Sequence, residues 1–115
     1  MSIRKTRSAG QNKGTFVDVA GQSIFLDSNI KQIILSKHPE VSKFIGRVAD
    51  VLREPDLIKK SRISQRTKLY YRFFDDIFNG KYMVVVVKQV ERNFVSTIYV
   101  TDKIKEGEVL WQKNS

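Results

Sequence analysis

The stretch KYMVVVVKQV, residues 81–90, decides the fold class of this chain. Successive side chains of a strand point to opposite faces, so the valines at 84–87 place apolar groups on both faces. β-Branched residues also favour this extended conformation. A strand that is apolar on both faces must be covered on both, so we expect a central strand with helix on one side.

Other segments around this strand are also typical of β-structure. Two of them are rich in aromatic and β-branched residues, TKLYYRFFD at 67–75 and NFVSTIYVT at 93–101, and short connections join them to the central strand. Three consecutive strands with short links predict an antiparallel meander. TFVDVAGQSIFL at 15–26 predicts two short strands around a turn, and VLW at 109–111 is expected to add an edge strand or a plug.

Two helices are predicted between the first strands and the meander. Asp27 and Ser28 offer N-cap side chains, and isoleucines follow at i, i+3, i+4 spacing over 30–34. Pro39 suits the first position of a second helix, which we expect to end near Arg53, before a proline. The predicted fold is α+β: an antiparallel sheet of about four to five strands with two helices packed on one face.

Length and composition indicate a single domain. The chain has 115 residues, of which 41% are apolar, enough for one core. We expect residues 1–14 to be a flexible basic arm and residues 15–115 to form the domain. The sequence contains no apolar run of membrane-spanning length and no secretory signal, so the expected location is cytoplasmic, without a membrane partner.

The residue inventory restricts the chemistry. Cysteine is absent and there is one histidine, His38, which excludes thiolate nucleophiles and multi-histidine metal sites. We therefore expect no metal and no cofactor. His38 stands directly before Pro39, so it is either a proton-transferring group or a residue that only caps a helix and turns the corner.

The net charge of +9 is concentrated in two segments. Residues 1–14 carry four basic residues and no acid, and residues 59–74 carry six and no acid. Since the other eleven basic residues face all twelve acidic ones, the rest of the chain is close to neutral. Two basic clusters on a neutral body favour a polyanionic partner. The residues expected to bind nucleic acid are Lys59, Lys60, Arg62, Arg66 and Lys68.

The order of several motifs resembles a known nuclease family. The pieces that carry the resemblance are KHPEV, VLREPDLI, LYYRFF, KYMVVVVK and FVSTIYVTDKIKEGEVLW, within residues 23–111. In this order they are similar to the phage-associated nucleases of the barnase/EndoU/colicin/RelE-like (PBECR) superfamily. The resemblance implies a metal-independent endoribonuclease of toxin-like or phage-associated type, with RNA as partner. The basic charge makes an acidic antitoxin or immunity protein a second candidate partner.

The resemblance also implies a catalytic set. Matched by position, it contains His38 from the HPE motif, Arg72 from the basic strand, and Thr97 with Tyr99 from T-x-Y. Cleavage through the ribose 2′-OH needs a base, an acid and a group that binds the phosphate, and arginine suits the last role. Because Arg72 must reach solvent or an anion, its side of the strand is expected to be the polar one.

Two other functions remain open from the sequence. The basic clusters also suit a nucleic-acid-binding module without catalysis. They equally suit a protein-interaction domain that docks an acidic partner.

Overall fold

A computed structural model describes residues 14–114 of the chain. The elements, in chain order, are β1 Thr15–Val17, β2 Ser23–Phe25, α1 Ser28–Lys37, a 3-10 helix Pro39–Arg47, α2 Val48–Arg53, β3 Leu57–Lys60, β4 Thr67–Phe74, β5 Lys81–Gln89, β6 Asn93–Thr101 and β7 Val109–Gln112. Most of the predicted basic arm lies outside the described residues. Its last residue, Gly14, accepts a hydrogen bond at 2.6 Å from the backbone N–H of Leu26.

All seven strands belong to one curled sheet, in the order β1-β2-β6-β5-β4-β3-β7. Strand β2 pairs with β6 in parallel, whereas every other neighbouring pair is antiparallel. The predicted sheet of four to five antiparallel strands is therefore wrong in strand number and in type. The sequence signal failed at β3, because its LIKK sequence is short and half charged and shows no clear alternation.

Strand β5 is central and apolar on both faces, as predicted. On one face, here called the helix face, Met83, Val85 and Val87 are buried in a core that includes Ile34 of α1 and Leu52 of α2. On the opposite face, here called the open face, a smaller cluster contains Leu57, Leu69, Tyr71, Val84 and Val86. Both α-helices thus pack on one face of the sheet, which agrees with the prediction.

The two predicted helices differ in outcome. The first is confirmed as α1, whose N-cap Asp27 accepts hydrogen bonds from the backbone N–H groups of Asn29 and Ile30. The second, expected as one α-helix from Pro39 to Arg53, is a 3-10 helix followed by the short α2. Gly46 weakens α-helix formation near the junction.

A one-residue irregularity in β6 changes which side chains share a face. Val86 pairs with Thr97 and Val87 with Val95, so Ser96 has no partner on β5 and forms a β-bulge. Regular alternation without a bulge would place Val95 on the same face as Thr97. Instead Val95 lies in the core on the helix face, while Thr97 stays on the open face.

A buried carboxylate ties the first hairpin to the sheet. Asp18, only 4% exposed, accepts hydrogen bonds from the backbone N–H groups of Ala20 and Gln22, which closes the predicted turn. Its other oxygen accepts a 2.7 Å hydrogen bond from the Tyr70 hydroxyl of β4. Burial, followed by the bond to Asp18, raises the pKa of Tyr70, so this hydroxyl remains a donor.

We predict that Tyr70→Phe lowers the free energy of unfolding by about 1–3 kcal/mol, because a buried carboxylate loses one of its donors. Urea denaturation of both proteins measures the difference. Tyr82→Phe is the matched control, since Tyr82 is only half-buried on the open face. An equal, small effect of both substitutions would show that the Asp18 bond does not stabilise the fold.

Candidate nucleic-acid interface

The open face carries a cavity of about 600 Å³. Its floor is a row of cross-strand neighbours, Thr97 of β6, Val86 of β5 and Leu69 of β4. Along the strand direction, Tyr99 lies on one side of this row and Lys88 lies on the other side. The floor is therefore apolar at its centre, with a phenol at one side and an ammonium group at the opposite side.

The loop that connects β6 to β7, residues 102–108, crosses the open face and forms part of the cavity wall. The backbone N–H of Lys105 donates to the Tyr71 hydroxyl at 3.1 Å, and the Lys59 ammonium donates to the Lys105 carbonyl at 3.0 Å. Gly107 passes so close to β3 that a side chain there would collide with the Lys60 carbonyl oxygen. These contacts hold the loop over the open face, so that it covers the second apolar face of β5.

Tyr99 contributes a hydroxyl that has no hydrogen-bond partner among the described residues, although its oxygen is buried. Burial raises the pKa of Tyr99 to about 12, and the neighbouring Tyr71 adds to the shift. The phenol is therefore protonated at neutral pH. The Lys105 ammonium lies 5.6 Å from the centre of the Tyr99 ring, which adds positive charge beside it.

His38 lies next to Tyr99 but does not line the cavity. It caps the C-terminus of α1, and its ring centre is 6.4 Å from that of Tyr99. About a third of its side chain is exposed (35%), and its Nδ1 lies 3.5 Å from Oε2 of Glu40. No hydrogen bond from the imidazole caps the following 3-10 helix. The structure therefore places His38 beside Tyr99, and Thr97 lines the cavity together with Tyr99.

Arg72 is on the other side of the sheet. It pairs with Met83 and faces the helices, where its guanidinium lies 3.3 Å from a Glu54 carboxylate oxygen and 3.4 Å from the Asp50 carbonyl oxygen. It also stacks over the Phe74 ring at 5.2 Å. The expectation that the polar face of β4 is the side of Arg72 is wrong, because α2 offers this arginine an anion on the helix face.

The predicted nucleic-acid-binding residues surround one end of the sheet. Lys59 lies on the open face, whereas Lys60 and Lys68 are directly opposite one another on the helix-face side, and Arg62 and Arg66 belong to the loop between β3 and β4. The Arg62 guanidinium is at the cavity rim, 2.9 Å from a Glu106 carboxylate oxygen. The basic cluster is thus divided between the two faces.

Sequence reasoning missed two basic residues of the cavity. Lys88 and Lys105 both line it, although neither was among the expected binding residues. The position of Lys88 could have been read from the sequence, because it lies two residues after Val86 and so shares its face. Lys105 could not, because a loop carries no alternation that would indicate its direction.

No protein-family model, curated protein or solved structure matches this chain. The resemblance to the phage-associated nucleases therefore rests on the motifs of the sequence. Within residues 14–114, no three His, Asp or Glu side chains gather where they could hold a metal ion. None of the helices formed by these residues is long and apolar enough to span a membrane.

We predict that Tyr99→Phe leaves the free energy of unfolding unchanged or raises it by up to about 1 kcal/mol, because it removes a buried polar atom that has no partner. The same urea denaturation used for Tyr70→Phe measures this. A loss as large as that of Tyr70→Phe would mean that the Tyr99 hydroxyl is hydrogen-bonded in the folded protein.

Proposed function

We propose that this protein is a metal-independent endoribonuclease that binds RNA on the open face of its sheet. The observation that supports this best is the cavity, in which the Tyr99 and Thr97 side chains lie among three cationic residues, Arg62, Lys88 and Lys105. Glu106 is the single acidic residue among those that line it. A cavity of this charge attracts phosphates, and its hydroxyl groups offer hydrogen bonds to them.

The proposed reaction is transesterification through the ribose. The 2′-oxygen attacks phosphorus, the bond from phosphorus to the 5′-oxygen breaks, and the products are a 2′,3′-cyclic phosphate and a free 5′-hydroxyl. The base takes the proton of the 2′-OH, and an acid gives a proton to the leaving oxygen. Charge that develops on the phosphoryl oxygens needs donors and cations that are already in place.

The residues next to the cavity can be assigned to the base and to the groups that bind the phosphate. His38, beside Tyr99, is the base that accepts the 2′-OH proton. Tyr99, protonated because its pKa is about 12, donates a hydrogen bond to the phosphate, and Thr97 donates a second. Lys88 and Lys105 replace Arg72 as the phosphate-binding cations, because Arg72 faces the helices.

A second candidate is an RNA-binding module without catalysis. It is favoured by one observation: only Thr97 and Tyr99 of the four expected catalytic residues line the cavity, and His38 reaches it only through Tyr99. Such a module would bind RNA with the same salt dependence, because the same cations would contact the phosphates.

We predict that the purified protein cleaves RNA in EDTA and leaves a 2′,3′-cyclic phosphate, and that His38→Asn slows this reaction at least about a hundredfold. Asparagine keeps a short polar side chain at the helix junction but cannot take up a proton, so stability should change little. Product analysis and the melting temperature of each variant are the measurements.

Arg72→Gln is the matched control, and it should retain the wild-type rate within about threefold, because Arg72 lies across the sheet from the cavity. RNA that is bound but left intact would favour the second candidate. Equal cleavage of DNA, which lacks the 2′-OH, would refute the proposed chemistry.

A further inference from the structure

We propose that the cavity on the open face receives one unpaired nucleotide, so that the substrate is single-stranded RNA. This inference rests on the proposed function, because it names the form of RNA that the same site takes. In the proposed complex, the base lies on the apolar floor formed by Leu69 and Val86, and a phosphate lies toward Lys88.

The floor has the shape and chemistry for a planar ring. Thr97, Val86 and Leu69 lie side by side on three adjacent strands, and neighbouring strands are about 4.8 Å apart, so the row is about 10 Å wide. Ring faces gain from contact with such apolar surface, whereas ring edges need polar partners. Thr97 at one end of the row offers a hydroxyl group to the edge.

The cationic side chains lie next to this floor, farther along the strand direction. Lys88 follows Val86 by two residues on the same face, which places it about 7 Å farther along β5. Arg62 at the rim is paired with Glu106, and both side chains are largely exposed. A phosphate that reaches Arg62 must therefore replace the Glu106 carboxylate, which exposed ion pairs permit at little cost.

A base in a duplex cannot occupy this floor. Its faces are stacked and its edge is paired, so it must leave the helix before it can reach a cavity behind the crossing loop. The cost of unstacking and unpairing opposes binding of a duplex, whereas an unpaired nucleotide enters without it. The volume of about 600 Å³ admits a nucleotide but not the width of a double helix.

The test compares affinities for an octaribonucleotide and for the same strand annealed to its complement. Both are 2′-O-methylated so that they cannot be cleaved through the 2′-OH. We expect the single strand to bind at least about tenfold more tightly at equal salt. Equal affinities would overturn the inference while leaving RNA binding in place, and no binding of either form would overturn the proposed function as well.

Two threonines of β6 provide a matched pair of variants. Thr97→Trp adds bulk on the cavity floor, so it should remove most of the preference for the single strand while duplex binding persists. Thr101→Trp makes the same change on the same face, outside the cavity lining, and should keep the preference. A Thr97→Trp protein that is folded and keeps the full preference would contradict the inference.

A measurement on the unmodified protein decides the point if Thr97→Trp does not fold. Nucleoside 5′-monophosphates and ribose 5-phosphate carry the same phosphate and differ by the base. We expect at least one monophosphate to bind about tenfold or more tightly than ribose 5-phosphate, because stacking on the floor adds to the phosphate contact. Equal binding of all of them would exclude a base site.

Discussion

Strand β5 is apolar on both faces, and the rest of the described fold covers these two faces unequally. On the helix face, α1, the 3-10 helix and α2 bury Met83, Val85 and Val87 completely or nearly so. On the open face, the loop over residues 102–108 and the rings of Tyr71 and Tyr99 cover Val84, but Val86 remains at the bottom of a cavity. The cavity therefore exists because the second cover is a single loop, whereas the first is a layer of helices.

Much of the fold could be predicted from local patterns. The meander from β4 to β6, the helix capped by Asp27 and the first hairpin all have signals within a few residues, such as alternation, capping and turn chemistry. The parallel pairing of β2 with β6 and the strand β3 depend on contacts between distant segments, and the bulge at Ser96 turns Val95 into the core on the helix face. A single sequence carries no local signal for these, so the expected sheet was too small and entirely antiparallel.

The candidate site also contains residues whose position follows from a local pattern and residues whose position does not. Alternation separates the two sides of β4, but it cannot tell which side the helices cover, and so Arg72 was expected on the wrong face. What decided its position is Glu54 at the end of α2, an anion that becomes a neighbour only in the folded chain. Thr97 and Tyr99 share one face, as alternation along β6 requires, and Lys88 could have been placed with them by the same rule.

The central claim of this account is that the open face, and not the helix face, meets RNA. Lys88 and Lys68 test it most directly, because they lie one register position apart on neighbouring strands but project from opposite faces. We expect Lys88→Gln to weaken binding of uncleavable single-stranded RNA severalfold and to reduce the salt dependence by about one phosphate contact, with a clearly smaller effect of Lys68→Gln. Equal losses, or a larger loss for Lys68→Gln, would contradict the account.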